Sequence, residues 1–233
     1  PISTVRYARA HPTWTDLNAF NCWINSRNIQ GIEMTKFVSA IDVNSQTFQD
    51  NRQAMRQQLQ ELTAIQQKNR DKSEQARAKF QRRGKVLPHD RVSLILDANS
   101  PFIELCGLVG YQMHDDKDGA DAGGGIIAGI GMVSGVRCMI SANNSAIKGG
   151  TIAPMGVQKT LRLQQIALEQ KLPMICLTES GGANLNYAAE VFTTGGMTFA
   201  NQARLSAAGI PQLSIVHGNA TAGGAYQPGL SDY

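Results

Sequence analysis

From residue 136 onward the chain alternates short apolar runs with stretches of helical periodicity, and this order permits few topologies. Three of the runs are typical of strands, namely residues 136–141, 174–178 and 213–216. The helices expected around them are one that buries Val157, Leu161, Leu168 and Leu172, a second at residues 197–208, and a third that starts near Ala225. Because helices of this length separate the strands, we predict parallel strands with right-handed crossovers, and thus an α/β fold.

Before residue 136 the spacing of the apolar residues changes from helical to strand-like. Residues 45–83 are polar and rich in glutamine, with an apolar stripe at helical spacing formed by Met55, Leu59, Leu62 and Ile65. We predict a long helix or helix pair that ends near Arg82 and packs this stripe as core. Short β-branched runs then predict further strands at residues 92–96, 102–105 and 125–130, around a polar, glycine-rich loop at residues 114–125.

Composition divides the chain into three regions. Residues 1–33 hold Trp14 and Trp23, show no sustained periodicity and precede Met34, so we expect a non-native or unstructured extension. Residues 34–91 are predicted to form an N-terminal helical segment, and residues 92–233 an α/β domain. Because the chain stops at Tyr233, just after a predicted helix start, we expect this domain to be truncated.

The cysteines exclude one class of metal site. Cys22, Cys106, Cys138 and Cys176 are far apart and form no C-x-x-C pair, so a zinc ribbon is excluded and we expect no metal. Cys138 and Cys176 lie inside apolar runs and are predicted to be buried free thiols, as in a reducing compartment. No apolar stretch approaches ~18 residues and no signal-peptide core is visible, so we expect a soluble, intracellular protein without a membrane partner.

Positive charge is concentrated in one part of the chain. Between Lys68 and Arg91 there are nine Lys and Arg residues against Asp71, Glu74 and Asp90, in a chain of net charge +4. A solvated helix face and a patch that attracts an anionic ligand such as CoA both fit this pattern. Aromatic residues make up only 6% of the chain, so base-stacking nucleic-acid modules are not expected.

Two glycine pairs that follow predicted strands form the most informative functional pattern. They lie in Ser180-Gly181-Gly182-Ala183 and Ala222-Gly223-Gly224-Ala225. A turn without bulky side chains brings backbone N–H groups close to a substrate, and two such turns on neighbouring strands are able to hold one developing oxyanion. We therefore predict that Gly223 and Gly224, helped by Gly182 and Ala183, form an oxyanion site.

Other catalytic patterns are incomplete. Gly123-Gly124-Gly125 fits the start of a dinucleotide fingerprint, but a strand-like run follows where a helix is required. Ser180 lacks the first glycine of a nucleophile elbow. Glu179 and His217 lie at the ends of predicted strands, where a structural role and a role in the site both remain open.

Several segments together resemble the carboxyltransferase (β) subunit of biotin-dependent acyl-CoA carboxylases. They are Arg82-Arg83-Gly84-Lys85-Val86-Leu87-Pro88, Ser100-Pro101-Phe102, Lys148-Gly149-Gly150-Thr151, Glu179 to Leu185, Asn201-Gln202-Ala203-Arg204 and Thr221 to Tyr226. The resemblance runs from about residue 45 to the end and implies a crotonase-like fold, a spiral of ββα units. It also implies that residues 92–233 are the acyl-CoA-binding half, and that the second, biotin-binding half is absent.

The details of the resemblance favour one branch of the family. The Ser180 to Leu185 segment is more similar to the methylcrotonyl-CoA and geranyl-CoA carboxylases than to the propionyl-CoA type, which usually has Arg after the Ala. Glu179 and His217 stand where the methylcrotonyl branch commonly has Asp and Met, which favours a longer branched or isoprenoid chain. The missing zinc ribbon argues against the bacterial acetyl-CoA carboxylase β subunit.

The resemblance implies carboxyl transfer from carboxybiotin to an acyl-CoA of the 3-methylcrotonyl-CoA or geranyl-CoA type. A ureido nitrogen takes an acidic proton from the acyl-CoA, backbone N–H groups hold the enolate oxygen, and the carbanion captures CO₂. The implied partners are a biotin carboxylase and biotin carrier (α) subunit and further β subunits, in the bacterial cytoplasm or the mitochondrial matrix. The implied CoA contacts are Lys148, Gly149, Gly150 and Ala225.

CoA binding is further expected to be salt-sensitive, with Lys148 and Lys159 as the main cations. Three other hypotheses stay open. A stand-alone crotonase-like enoyl-CoA hydratase or isomerase would need a glutamate beside the oxyanion site, and Glu179 is the only candidate. The other two are a propionyl-CoA carboxylase β subunit and a catalytically silent assembly subunit.

Overall fold

The structure, a computed structural model, describes residues 38–233, so the extension predicted at residues 1–33 lies outside the described residues. The chain divides into two units, residues 1–49 and residues 50–233. In the described part of the first unit, the Ser45 hydroxyl accepts the Phe48 N–H at 3.3 Å and caps the start of helix α1 (Gln46–Glu74). The second unit holds the sheet and the other helices of the described residues.

Helices α1, α2 (Arg77–Arg82) and α3 (Pro88–Ile95) precede the main part of the sheet. The predicted helix pair at residues 45–83 is confirmed, but its apolar stripe is not core. Met55, Leu59 and Leu62 are 57%, 52% and 39% exposed in the part of the chain that the structure describes. The prediction of core contacts is wrong because helical spacing identifies an apolar face but not a second surface to cover it.

The strand predicted at residues 92–96 is also wrong, because most of this run belongs to α3. Pro88 stands in the first turn of that helix, where an N–H has no intrahelical partner, and Asp90 adds negative charge near the positive end of the helix dipole. Val92 is 3% exposed and Leu94 is 72% exposed, a contrast that fits a helix with one face on the sheet, because two residues at this spacing in a strand would share a face. The domain boundary between residues 91 and 92 falls inside α3 and stays a prediction.

The sheet has five strands in the order β1-β2-β3-β4-β5. They are β1 (Ile103–Glu104), β2 (Ile126–Val133), β3 (Val136–Asn143), β4 (Met174–Ser180) and β5 (Gln212–Ala220). Strands β1, β2 and β3 pair antiparallel, whereas β3, β4 and β5 pair parallel, as the strand–helix alternation predicted. Because β2 follows Gly123-Gly124-Gly125 directly, the exclusion of a dinucleotide fingerprint is confirmed.

Three helices accompany the parallel strands. Helix α4 (Pro154–Gln170) connects β3 to β4, α5 (Ala188–Ala207) connects β4 to β5, and α6 (Gly223–Gly229) follows β5. Val157 is buried as predicted, but Leu163 and Ala167 form the rest of the buried face of α4 and Leu168 is 38% exposed. Leu172 is buried, but it lies beyond the helix, whose end is set by Lys171 in the left-handed region at φ 51°. No helix in residues 38–233 is long and apolar enough to cross a bilayer.

Apolar side chains cover both faces of the sheet. On one face the core includes Met139 and Met174 of the sheet, Leu163 of α4 and Leu205 of α5. On the other face Val92 of α3 packs in a cluster with Ile127, Ile140, Ile175 and Leu177. Successive side chains of a strand point to opposite faces, so Thr178 and Ser180 share the α4–α5 face of β4 with Met174, whereas Glu179 shares the α3 face with Leu177.

Candidate active site

The two glycine turns meet at one edge of the sheet. Strand β4 ends at Ser180 and its parallel neighbour β5 ends at Ala220, so the first turn (residues 180–183) and the second turn (residues 221–225) begin side by side. A Cβ built on Gly224 would lie 2.9 Å from the Ser180 Cβ, and one built on Gly182 would lie 3.5 Å from the Thr221 carbonyl oxygen. The distance at Gly182 is an ordinary contact, whereas the one at Gly224 is too short for a Cβ, so the absence of a side chain at Gly224 allows the two turns to touch.

Two of the four predicted oxyanion donors already have acceptors. The Gly182 N–H donates to the Ser180 Oγ at 3.1 Å, and the Gly224 N–H donates to the Thr221 carbonyl at 2.9 Å. The N–H groups of Ala183 and Gly223 donate no hydrogen bond to any group within residues 38–233. Ala183 and Gly223 both line a cavity between the sheet and helices α4, α5 and α6, so they are the two predicted donors beside this cavity that have no protein acceptor.

Ala222 holds the second turn in an unusual conformation. Its φ of 48° and ψ of −118° lie in a sparsely populated region for a residue with a Cβ. The turn is closed by the Gly224 N–H on the Thr221 carbonyl and by the Ala225 N–H on the Ala222 carbonyl, both at 2.9 Å. Such strain costs about 1–3 kcal/mol and clusters at functional sites, where the surrounding structure enforces it. Ala222 is the residue directly before α6, which begins at Gly223.

The loop predicted to contact CoA packs directly on the first glycine turn. Gly149 and Gly150 have φ values of 65° and 72°, and a Cβ built on Gly150 would lie 2.5 Å from the Glu179 carbonyl oxygen. The Ile152 N–H donates to the Gly182 carbonyl at 2.9 Å, and the Asn184 N–H donates to the Ile152 carbonyl at 3.0 Å. Two hydrogen bonds thus hold the backbone on both sides of Ala183.

A cavity of about 440 Å³ lies beside the turns, between the sheet and helices α4, α5 and α6. Its wall is largely apolar and includes Ile126, Val157, Leu163, Met174, Val191 and Phe199. Gly195 of α5 also lines the cavity, and it was not predicted from the sequence. A Cβ built on Gly195 would meet no atom within 4 Å. A glycine pair inside a helix is the signal that could have identified it. The cavity suits an apolar chain.

The predicted CoA contacts do not share one site. Lys148 lines a smaller pocket, where its Nζ lies 2.8 Å from a carboxylate oxygen of Asp121, and Lys72 contacts the same carboxylate. Burial alone would raise the pKa of Asp121, but hydrogen bonds from the two lysines more than offset this and lower it. Ala225 is exposed and lines neither this pocket nor the cavity.

Lys159 is not available to an anionic ligand. It is 1% exposed, and its Nζ donates to the Ile126 carbonyl at 2.6 Å and to the Gly123 carbonyl at 3.4 Å. Burial lowers its pKa to about 8. The prediction that Lys159 carries salt-sensitive CoA binding is therefore wrong, because this side chain holds the loop before β2 from inside the protein.

Glu179 lies on the opposite face of the sheet from the cavity. Its carboxylate contacts Arg91 at 2.6 Å, accepts the Ser145 hydroxyl at 2.8 Å and also pairs with Lys85. Burial alone would raise the pKa of Glu179, but these three hydrogen bonds lower it, so the carboxylate is ionised at neutral pH. A carboxylate bound to two cations on this face does not fit the general base that a stand-alone hydratase or isomerase would need.

His217 and Ser180 do not form a nucleophilic pair. His217 lies near the ions around Glu179, and burial, followed by the charge of Arg91, lowers its pKa. Ser180 is on the cavity face, where its Oγ accepts the Gly182 N–H and donates to the Gly150 carbonyl at 3.4 Å. These contacts give Ser180 a structural role in the first turn.

Within residues 38–233 no group of three or more His, Cys, Asp or Glu side chains is placed to hold a metal ion. Cys138 is buried, Cys176 is partly buried and Cys106 is exposed, each as a free thiol. Burial raises the pKa of the Cys138 thiol. Cys22 lies outside the described residues.

The sequence matches the carboxyl transferase domain family over residues 79–233. The biotin-dependent 3-methylcrotonyl-coenzyme A carboxylase beta1 subunit of Mycobacterium tuberculosis is 50% identical over 163 residues, or 69% of this chain and 30% of that protein. The mitochondrial methylcrotonoyl-CoA carboxylase beta chain of Dictyostelium discoideum is 44% identical over 196 residues, or 82% of this chain and 33% of that protein. The chain thus spans about a third of the length of these relatives.

Solved structures agree with these matches. The beta subunit of geranyl-CoA carboxylase from P. aeruginosa is 59% identical, with a TM-score of 0.78 over 84% of this chain and 37% of that one. The transcarboxylase 12S structure, at 24% identity and a TM-score of 0.66, shares the fold. The predicted crotonase-like α/β class is confirmed. The chain belongs to the carboxyl transferase domain family, and its predicted resemblance to the β subunits of methylcrotonyl-CoA and geranyl-CoA carboxylases is confirmed.

Proposed function

We propose that residues 92–233 form the acyl-CoA-binding part of a carboxyltransferase, which moves a carboxyl group from biotin on a partner to an acyl-CoA. One observation carries the proposal. The unpaired N–H groups of Ala183 and Gly223 belong to two touching turns on the wall of one apolar cavity. Donors placed beside a space for an acyl chain would hold a thioester oxygen as it becomes an enolate.

The residues of this chain would act by position rather than by proton transfer. Biotin, when bound on its carrier, supplies the carboxyl group and takes up the substrate proton. Ala183 and Gly223 would donate to the thioester oxygen and stabilise the charge that develops there, while Gly182 and Gly224 maintain the turns through their internal hydrogen bonds. The apolar wall would exclude water, which would otherwise protonate the carbanion.

The cavity favours a long acyl chain over a short one. Met174, Cys176, Thr178 and Ser180 all line it, so it follows β4 along the whole strand. At ~3.3 Å per residue this stretch covers roughly 20 Å, which is enough for an extended isoprenoid chain. The 59% identity to the geranyl-CoA carboxylase beta subunit points the same way. We propose geranyl-CoA as the preferred substrate type.

The proposal also covers the residues that bind the CoA moiety and the partners of the chain. Lys148, 43% exposed in its side chain, would attract the CoA phosphates, with Gly149 and Gly150 shaping the loop and Ala225 closing the second turn. A biotin-bearing α subunit would supply the carboxyl group, and β subunits would assemble with one another, as the hexamer of transcarboxylase 12S does. The proposed location is the bacterial cytoplasm or the mitochondrial matrix, because the relatives include bacterial and mitochondrial proteins.

The direct test uses the assembled carboxylase, with this chain in its full-length subunit and its biotin-bearing partner present. Isotopically labelled bicarbonate and ATP are supplied with geranyl-CoA or 3-methylcrotonyl-CoA, and label in the acyl-CoA is measured. We expect carboxylation of both, with the higher kcat/KM for geranyl-CoA. Labelling of neither acyl-CoA would refute the proposed function, and a preference for 3-methylcrotonyl-CoA would refute the choice of substrate.

A larger side chain at Gly195 should lower kcat/KM more for a long acyl chain than for a short one. Gly195 lines the cavity and a Cβ built on it meets no atom within 4 Å, so Gly195→Leu would take up room that a long acyl chain needs more than a short one. We expect kcat/KM for geranyl-CoA to fall about tenfold or more, and that for 3-methylcrotonyl-CoA to change less than about threefold. Gly229→Leu, at a glycine equally free of neighbours but outside the cavity wall, is the control. Equal losses on both substrates would contradict the assignment of this wall to the acyl chain.

A further inference from the structure

We propose that three charged residues on the α3 face of the sheet, Lys85, Arg91 and Glu179, fix the two glycine turns relative to each other. We name them the Glu179 cluster, and we infer that they are positioning residues for the donors Ala183 and Gly223. The inference rests on the proposed function, to which it adds residues that touch neither the cavity nor its ligand.

The cluster holds the end of strand β4. Glu179 directly precedes Ser180, so any movement of its backbone moves the first glycine turn. Its carboxylate is fixed by Arg91, which is 5% exposed, and by the Ser145 hydroxyl at 2.8 Å. Its N–H donates to the Asn143 side chain at 3.2 Å. The start of the first turn is thus tied to helix α3 and to the end of β3.

The same cluster contacts the strand that leads into the second turn. Thr178 of β4 pairs with Val216 of β5, and the next pair is Ser180 with Ala220. Between these pairs β4 advances by two residues and β5 by four, so β5 holds two extra residues. The surplus residues form a bulge opposite Glu179, and bulges next to active sites redirect the chain. A Cβ built on Gly218 would lie 2.6 Å from both the Glu179 Oε1 and the Lys85 Nζ. The bulge therefore rests directly on the ion pair.

One cluster consequently contacts both strands immediately before the turns that carry the donors. If the ion pair moves, the bulge and the end of β4 lose their common support, and the spacing of the Ala183 and Gly223 N–H groups changes. Misplacement of a reacting group by about 1 Å costs up to ~10²-fold in rate. An ion pair that served stability alone would change the melting temperature but not kcat.

The test perturbs the cluster in two independent ways in the assembled carboxylase. Gly218→Ala keeps every charge, but its Cβ would lie 2.6 Å from both the Glu179 Oε1 and the Lys85 Nζ, so at least one of these atoms must shift. Lys85→Met removes one cation while the Arg91–Glu179 pair stays. Gly229→Ala, where a Cβ meets nothing within 4 Å, and Arg70→Met, which breaks the Arg70–Glu104 pair at 3.4 Å, are the matched controls. Amide hydrogen exchange over residues 180–184 and 221–225 is measured with kcat and KM.

For both cluster variants we expect kcat to fall about 10- to 100-fold, with the KM for acyl-CoA within about threefold of wild type. Exchange in both turns should become about fivefold faster or more, with the controls unchanged. Unchanged exchange in the turns overturns the inference, and so does faster exchange at wild-type kcat. A wild-type carboxylase that labels no acyl-CoA refutes the proposed function instead, and the exchange data then judge the cluster alone.

Discussion

Deletion of the Gly223 N–H should lower the kcat of the assembled carboxylase by roughly 10²–10³-fold, because one oxyanion donor contributes about 3–4 kcal/mol to the transition state. Gly223 is the first residue of α6, the helix position that best tolerates proline, so Gly223→Pro removes the donor and keeps the helix. The preceding Ala222 has a ψ of −118°, outside the extended range that a residue before proline adopts. The proline is therefore introduced together with Ala222→Gly, which accepts that conformation.

The single variant Ala222→Gly is the control for this experiment. It keeps the Gly223 donor and removes only the strain of a Cβ at φ 48°, so we expect kcat within a few-fold of wild type. CoA binding by calorimetry and the melting temperature show whether the double variant keeps its site and its fold. If it binds CoA, melts like the control and turns over at about the control's rate, Gly223 is not an oxyanion donor. The charge would then have to be held by Ala183 or by groups outside residues 38–233.

Most of the sheet could be predicted because local chemistry delimits each strand. Pro173 and Pro211 stand directly before β4 and β5, and the glycine turns follow them, so the apolar runs between have the length of strands. The run at residues 92–96 is also apolar, but most of it lies in a helix. Its conformation is decided by Pro88 and by packing of Val92 on the sheet, and a single apolar run does not encode that packing.

The glycine turns of the site could be predicted, but the state of their donors could not. Whether the Gly182 and Gly224 N–H groups are free depends on the reach of the Ser180 hydroxyl and the Thr221 carbonyl, which only the folded turns define. The two cations that pair with Glu179 come from α3 and from the segment before it, far away in the sequence. Lys159 shows the same limit, because a lysine on an amphipathic helix is expected in solvent unless buried carbonyls lie within its reach.

Glu179→Gln should cause the largest loss of stability among the changes considered, about 3–5 kcal/mol. The amide keeps the shape of the side chain but leaves Arg91, which is 5% exposed, with no counter-charge from this position. At about 2–4 °C per kcal/mol for a domain of this size, the melting temperature should fall by roughly 10 °C. Glu104→Gln is the matched control, since it breaks a more exposed pair with Arg70 at 3.4 Å. That pair should contribute less than about 1 kcal/mol.

Measuring the loss of stability in Glu179→Gln at several pH values tests whether that loss comes from the charge of the carboxylate. The pKa of Glu179 lies below its usual 4.5 in the folded protein, so ionisation of the carboxylate favours the folded state. This stabilisation is present in full above about pH 4.5 and is lost as the pH falls through the lowered folded value. The gap in melting temperature between wild type and Glu179→Gln should therefore be constant from neutral pH to about pH 5 and narrow below about pH 4. A gap that stays constant in acid would mean that the variant acts through packing, because the carboxylate's charge would then contribute nothing to the fold.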